Sequence, residues 1–561
     1  MEVDFKIIEK NYPDEINSLG SAIEEWPVTY LIHNKKQIYV GETTNAKNRL
    51  KDHAISESKQ QYKFKTCQII YSDHFNKSAI YLIETMLMRL IAADKKMELV
   101  NTKTNQFAHD FYNKPEYENI VPKIWKQLKN KGIVKCTYTE VINSDIFKYS
   151  PFTSFTEEQL SVIETVLAKI APNHKTIEIN TTETDTFDNL KPLDAEHIGN
   201  RGNKNKDKKK FFAIDGKPGT GKSLLIIKMI FELVKNSGVD PKDICVMHNV
   251  DCSKSVLSKV LKQLKIQGVT FLTTMKLFNE DNNYKYIFVD EGQRTLKYSS
   301  KQANFTYKLR EAGVDGLDII LSKGKNIVYM YDEHQSTRCS DVDLTRLSEL
   351  EEDDNIEFYR ESLNTVLRVS EEWDNFVFNV LNNHTPKFKN LDNYDVKIFN
   401  SMKSLHSAIK AQDKKVGLSR VVSGFSRKWE KNKPDVYEFS EKGYKAKWNS
   451  KTKGWFDSPN SINEIGSVFT IAGIDLNYCG VIIGKDIYYD NKEKLIKCNI
   501  DNFCDDKAKP PLDIDPEIRN KEICKSIINS YYILLTRGIK GTYLYIEDEP
   551  LREYVSKLIK K

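Results

Sequence analysis

Phe211-Phe-Ala-Ile-Asp-Gly-Lys-Pro-Gly-Thr-Gly-Lys-Ser-Leu-Leu-Ile-Ile227 reads as an apolar strand, a glycine-rich turn and the start of a helix. Gly216, Gly221, Lys222 and Ser223 keep the spacing G-x-x-x-x-G-K-[ST], with Gly219 and Thr220 inside it. Glycines at such a turn let successive backbone N–H groups point inward around phosphate oxygens at a helix N-terminus. Lys222 adds a point charge for the β- and γ-phosphates, and the Ser223 hydroxyl is a ligand for Mg²⁺. The stretch therefore predicts a bound nucleoside triphosphate.

Working outward, Asp243-Ile-Cys-Val-Met and Gly268-Val-Thr-Phe-Leu read as further buried strands. Tyr284-Lys-Tyr-Ile-Phe-Val-Asp-Glu-Gly-Gln-Arg ends a strand in Asp290 and Glu291, at the carboxyl edge where parallel α/β sheets bind ligands. Asp290 would hold Mg²⁺ through water, and Glu291 would polarise the hydrolytic water. Lys325-Asn-Ile-Val-Tyr-Met-Tyr-Asp-Glu-His-Gln ends in Asp332 and Gln335. The second half repeats the pattern without a phosphate loop of its own. Leu363-Asn-Thr-Val-Leu-Arg presents Arg368, and Leu534-Leu-Thr-Arg-Gly presents Arg537 beyond an apolar run, as an arginine finger would be. Upstream, Thr156 and Gln159 fit a helix-capping box, while a glutamine amide at this place also suits adenine's edge. Both readings of Gln159 stand on the spacing.

Gln159, Gly216 to Ser223, Asp290 to Arg294, Asp332 to Gln335, Arg368, Thr470 to Gly473 and Leu534 to Gly538 together resemble the Schlafen-group, superfamily 1 helicase-like ATPases of bacteria. The resemblance runs from about residue 155 to 547. It implies two RecA-like parallel-sheet lobes with ATP and Mg²⁺ in the cleft between them, Gln335 as γ-phosphate sensor, and Arg368 and Arg537 reaching in from the second lobe. Ala472 stands where such proteins usually carry a glutamine, a position that couples ATP to nucleic acid.

Nearer the N-terminus, Trp26-Pro-Val-Thr-Tyr-Leu-Ile-His and Lys35-Lys-Gln-Ile-Tyr-Val-Gly-Glu-Thr-Thr-Asn read as a hairpin. Arg49 and His53 follow on one face of a helix, then Glu84 alone among the apolar positions of another helix, then Asn101 after a short strand. Tyr30, Tyr39 to Gly41, Arg49, His53, Glu84 and Asn101 resemble the GIY-YIG nuclease domain over roughly residues 26–106, with Val28-Thr29 in place of Gly-Ile. That implies a small α/β domain in which Glu84 holds one divalent metal, Arg49 clamps the phosphate, and Tyr30 or Tyr39 serves as base.

At 561 residues the chain exceeds a single core, and its 40% hydrophobic and 29% charged content suits a soluble globular protein. The expected class is α/β, with a GIY-YIG nuclease-like domain over 1–112, a basic connector over 113–150, a first RecA-like lobe over 151–345 and a second over 346–561. The connector reads as a basic helix followed by β character over Ile133 to Ile142. Residues 180–210 read as a flexible insertion. A net charge of +6 is compatible with a polyanionic partner. Nine scattered cysteines with no C-x-x-C pair predict reduced thiols and a cytoplasmic protein, and no stretch has the length of a membrane span. The expected function is an ATP-dependent, Mg²⁺-requiring nuclease motor acting on nucleic acid, DNA ahead of RNA, with defence against phage or foreign DNA as a fitting role. A protein partner or homo-oligomer is compatible. Two alternatives are an ATPase switch whose N-terminal domain only binds nucleic acid, and a repair or recombination factor.

Overall fold

The computed structural model describes residues 3–101, 111–172, 208–249, 251–297, 307–338, 340–365, 370–384, 394–430, 433, 435–451, 454–471, 474–510 and 515–559. The chain forms two compact units. The first comprises residues 1–179, 227–239 and 259–266, and the second residues 180–226, 240–258 and 267–561.

In the first unit, β1 (Lys6–Asn11), β2 (Val28–His33), β3 (Gln37–Thr43), β4 (Thr66–Tyr71) and β5 (Glu98–Leu99) form one sheet in the order β1-β4-β2-β3-β5. All its pairings are antiparallel except β3 with β5. The expected hairpin is β2–β3, and its register sets Tyr30 opposite Gly41. Central strand β2 is buried from Val28 to Ile32, which explains its unbroken apolar run. Val28 and Thr29 are ordinary core positions there, and the Thr29 hydroxyl donates to the Ile80 carbonyl at 3.2 Å. The helix Lys77–Asp94 starts at Asn76, whose side chain accepts from the Ala79 N–H, and buries an apolar stripe along its length.

Residues 113–150 are helical throughout their regular parts. The helix Lys114–Asn130 buries Tyr117, Ile120, Val121, Ile124, Trp125 and Leu128 at the three- and four-residue spacing of an amphipathic face. The β character expected over Ile133 to Ile142 gives way to a short helix, Tyr138–Ile142. Thr137 and Glu140 close a reciprocal capping box at its start, which satisfies two backbone donors that a strand would leave to a partner. The helix Glu157–Ile170 begins with the Thr156–Gln159 capping box, the Gln159 amide oxygen accepting from the Thr156 N–H at 3.1 Å.

The second unit contains two parallel sheets. β6 (Lys209–Gly216), β7 (Ile244–His248), β8 (Thr270–Leu272), β9 (Tyr284–Asp290), β10 (Gly324–Tyr331) and β11 (Ile356–Leu363) lie in the order β11-β6-β10-β9-β7-β8. Every pairing is parallel. The second sheet takes β12 (Asp395–Phe399), β13 (Ser419–Ser423), β16 (Ile465–Ser467), β17 (Leu476–Ile483) and β20 (Gly538–Ile546), ordered β12-β20-β17-β13-β16 and again all parallel. Two antiparallel hairpins decorate it, β14 (Phe439–Glu441) with β15 (Tyr444–Ala446), and β18 (Ile487–Asp490) with β19 (Leu495–Cys498).

Three further expectations are corrected. β11 lies beyond residue 345 yet is an edge strand of the first sheet, so the change of lobe falls after Leu363. Lys209 and Lys210 open β6 with Lys208 just before them, and residues 180–207 of the proposed insertion lie outside the described residues. Cys498 and Cys524 form a disulfide, which joins β19 to the helix Pro516–Leu535; the reading of all nine cysteines as thiols does not hold there. Among the described residues no helix is long and apolar enough to cross a membrane.

Candidate functional site

The phosphate loop springs from the carboxyl end of β6. A Cβ on Gly216 would sit 2.7 Å from Thr220 Oγ1 and 3.2 Å from Leu363 Cβ, so only a bare α-carbon fits between the loop and β11. Gly219 and Gly221 have φ of +85° and +89°, backbone that L side chains rarely adopt. Lys222 begins the following helix and is largely buried. Its Nζ donates to the Gly216 carbonyl and, at 3.1 Å, to that of Lys217, and lies 3.7 Å from Asp332 Oδ2. Ser223 Oγ is 3.1 Å from both carboxylate oxygens of Asp290 at the end of β9.

Glu291 follows in the left-handed region, with φ +55°. Burial alone would raise its pKa, but the charges of Arg294, Lys222 and Arg537 outweigh that and hold the carboxyl below its ordinary range. The Gln293 amide donates to Glu291 Oε2 at 2.6 Å, and its oxygen accepts the Asp332 N–H at 3.1 Å. Gln335 in turn donates to Asp332 Oδ2 at 2.6 Å. One hydrogen-bonded set thus joins the ends of β9 and β10.

The second lobe closes on this set. Arg537, between the helix Pro516–Leu535 and β20, is buried and contributes its charge at Glu291. Asn529 donates to the Ser336 carbonyl at 2.6 Å. Arg338 lies 3.7 Å from Asp505 and 4.0 Å from the Phe469 ring, which Arg294 also faces at 5.6 Å. Arg368, Ala472 and Gly473 lie outside the described residues.

The first unit gathers a second set. Tyr30, from β2, is buried, and its hydroxyl is 2.7 Å from His53 Nε2 on the helix Ala46–Ile55. Tyr39, on the neighbouring strand, has its ring 5.2 Å from His53 and 6.4 Å from Tyr30. Burial, with the charges of Lys59 and Arg49, pushes His53 down to about 3. The imidazole is therefore neutral, and it can accept the Tyr30 hydroxyl's bond through Nε2. Arg49 faces both tyrosine hydroxyls. Burial raises both phenols, Tyr30 well above its ordinary range and Tyr39 to about 12, and the Glu84 charge adds to each shift. Glu84 is buried between Ile83 and Thr85 on the apolar helix and directs its charge at this cluster. Asn101 acts on the backbone: its amide oxygen accepts the Val40 N–H at 3.0 Å, and its nitrogen donates to the Val40 carbonyl at 2.8 Å. It locks β3 beside Tyr39.

Three side chains had no role assigned from sequence. Lys59 lies with Nζ 2.8 Å from the Tyr39 ring centroid, and burial beside Arg49 pushes its ammonium down to about 7. Nothing in the chain around it signals that position. Gln293 and Arg294 follow the acid pair directly, and their place in that motif was the available signal. Among the described residues no three His, Cys, Asp or Glu side chains gather as a metal-holding group would.

A phosphate loop and paired acids at the edge of one parallel sheet, an arginine from a second such sheet, and a separate tyrosine–arginine–glutamate cluster define a helicase-like P-loop protein carrying a nuclease-type domain. Comparison with protein families agrees. The model of the Schlafen group 3 DNA/RNA helicase domain matches residues 209–548, more than half of the chain, and the chain belongs to that family. The GIY-YIG catalytic domain matches residues 27–96. The chain is also 35% identical over 177 residues to the uncharacterised Saccharomyces cerevisiae protein YPL245W, covering 30% of this chain and 38% of that protein.

Proposed function

We propose that the protein hydrolyses ATP in the second unit to license Mg²⁺-dependent cutting of nucleic acid, DNA ahead of RNA, by the first. The observation that carries this reading is Glu291, an acid beside the phosphate loop kept anionic by cations from both lobes. An anionic carboxylate there can orient and deprotonate the attacking water, while Lys222 and Arg537 offset charge on the γ-phosphoryl group. Ser223 and Asp290, already 3.1 Å apart, suit one Mg²⁺, and buried Glu84 suits another. Bound there, the metal would neutralise phosphate charge at the first site and lend Lewis acidity to the leaving oxygen at the second.

At the cutting site Arg49 would clamp the scissile phosphate. Neutral His53 would draw on the Tyr30 proton, so that the phenol oxygen takes a proton from the attacking water as it gives its own to Nε2. Val28 and Thr29 leave this geometry intact, because both point into packing. Cutting gated by ATP suits attack on phage or foreign DNA.

The test measures ATP turnover and plasmid nicking in Mg²⁺. Lys222→Ala should lose turnover and ATP-stimulated nicking, whereas Glu84→Ala should keep turnover and lose nicking. A Glu84→Ala protein that still cuts DNA and RNA at the wild-type rate sinks the nuclease assignment, and a Lys222→Ala protein that nicks normally with ATP sinks the coupling.

A further inference from the structure

The second lobe departs from a bare parallel sheet between β13 and β16, where the β14–β15 hairpin is inserted in the chain between the carboxyl end of β13 at Ser423 and the amino end of the parallel β16 at Ile465. The described residues around the hairpin are firmly seated. Phe439, Ala446 and Trp448 are buried, and Trp448 Nε1 donates to the Gly466 carbonyl at 3.2 Å. The chain just past the second arm exchanges backbone bonds with Ile465 at the start of β16, Ile465 N–H to Lys447 O and Asn449 N–H to Ile465 O, both 2.9 Å. The Glu438 carboxylate accepts from the Glu430 and Trp448 N–H groups. Tyr437, just before β14, is 44% exposed.

Its neighbours are cationic. Lys445, in β15, and Lys447, just past its end, hold Nζ 5.9 and 5.8 Å from the Tyr437 ring centroid. Lys403 Nζ stands 3.8 Å from where a Cβ on Gly443 would be, at the hairpin turn, and Lys442 beside it is exposed. An exposed ring on a rigid support, flanked by ammonium groups, is the composition that stacks a base and pairs its phosphates. A duplex, whose bases are already stacked on one another, has no use for the ring.

The foot of the hairpin also reaches the nucleotide cleft. Trp448 and Phe425 rings are 5.1 Å apart, Phe425 and Phe469 5.5 Å, and Phe469 carries the Arg338 and Arg294 contacts described above.

We propose that the β14–β15 hairpin is a single-strand nucleic-acid contact of the second lobe, with Tyr437 stacking on a base and Lys445 and Lys447 pairing with its flanking phosphates. The proposal rests on the nucleic-acid-processing reading above and adds the place and strandedness of contact.

The test is fluorescence anisotropy of the full chain, without Mg²⁺ so that nothing is cut, on labelled oligo-dT, oligo-U and a DNA duplex. Tyr437→Ala should weaken single-strand binding about tenfold, Tyr437→Trp should restore it, and duplex binding should change little. Lys445→Glu with Lys447→Glu should lower the slope of log affinity against log salt by about 1.4, from two lost phosphate contacts at ~0.7 each. Turnover of ATP without nucleic acid should stay at the wild-type level in all three. Unchanged single-strand affinity and salt slope in Tyr437→Ala and the double lysine variant overturn the hairpin assignment while leaving the motor reading in place. Wild-type protein that binds none of the three probes overturns both. A larger loss on oligo-U than on oligo-dT names RNA as the strand.

Discussion

Gly41→Ala is the sharpest single perturbation of the cutting site. In the β2–β3 register Gly41 faces Tyr30, and a Cβ there would lie 2.4 Å from both Cζ and Oη of that ring. Carbon contacts settle near ~3.5–4.0 Å, so the ring or the strand must move by roughly 1 Å. The ring has nowhere to go without loss, since it is fully buried and its hydroxyl is 2.7 Å from His53. Overpacking of this kind costs about 1–3 kcal/mol of stability. A misplacement near 1 Å at a reacting group costs about 10²-fold in rate. Single-turnover nicking in Mg²⁺ reads the second effect and urea unfolding the first. The control is the same substitution in a Tyr30→Ala background, where the clash has no partner. A coupling of about 1–3 kcal/mol between the two positions is expected in unfolding, whether or not the protein cuts. Gly41→Ala with normal nicking and no coupling to Tyr30→Ala would refute the reasoning.

Three further outcomes are expected. Asp486 is buried, accepts the Tyr531 hydroxyl at 2.5 Å, and is pushed up to about 7, chiefly by burial. Because its folded pKa is raised, the stability it lends is complete below about pH 4 and lost as pH rises through about 7, up to roughly 4 kcal/mol. The thermal midpoint of Asp486→Asn should therefore gain on the wild type from pH 5 to pH 8; a constant gap contradicts this. Arg537→Ala should cut ATP turnover by ~10³-fold, and a loss of less than tenfold removes the arginine-finger role. Thr156→Ala and Gln159→Ala should each cost about 1 kcal/mol in unfolding as cap losses and leave the KM for ATP unchanged. A raised KM in Gln159→Ala alone would assign its amide to adenine.

The parts of this molecule that sequence reveals are those whose partners lie close along the chain. Gly216 to Ser223 make their loop among themselves, and Thr156 with Gln159 needs only one helical turn, so spacing alone exposes both. The tyrosine and glycine of the nuclease motifs are visible as residues, but the reason for the glycine is the ring of Tyr30 across the strand pair, a register effect. Lys59 is brought to Tyr39 by the packing of a four-residue helix, and no periodicity announces it. β11 misled for another reason. In a doubly wound sheet the strand beside β6 need not be its neighbour in sequence, and the pairing of Leu363 with Gly216 is decided by the whole sheet. Tyr437 carries no signal in the sequence, because an aromatic among lysines looks the same whether buried or bare.

The first compact unit is not a continuous piece of chain, for it takes in residues 227–239 and 259–266 from beyond the phosphate loop. The helix Lys222–Phe231 starts at the residue that would touch ATP, and Phe231 at its far end packs its ring 5.5 Å from Phe152. Cutting the gene at one point between the two sites, anywhere from the connector to the loop, would strip apolar partners such as Phe231 and Leu233 from the first unit. The two chemistries should therefore be inherited together, and this chain should resist shuffling of its halves in a way that proteins joined by a simple linker do not.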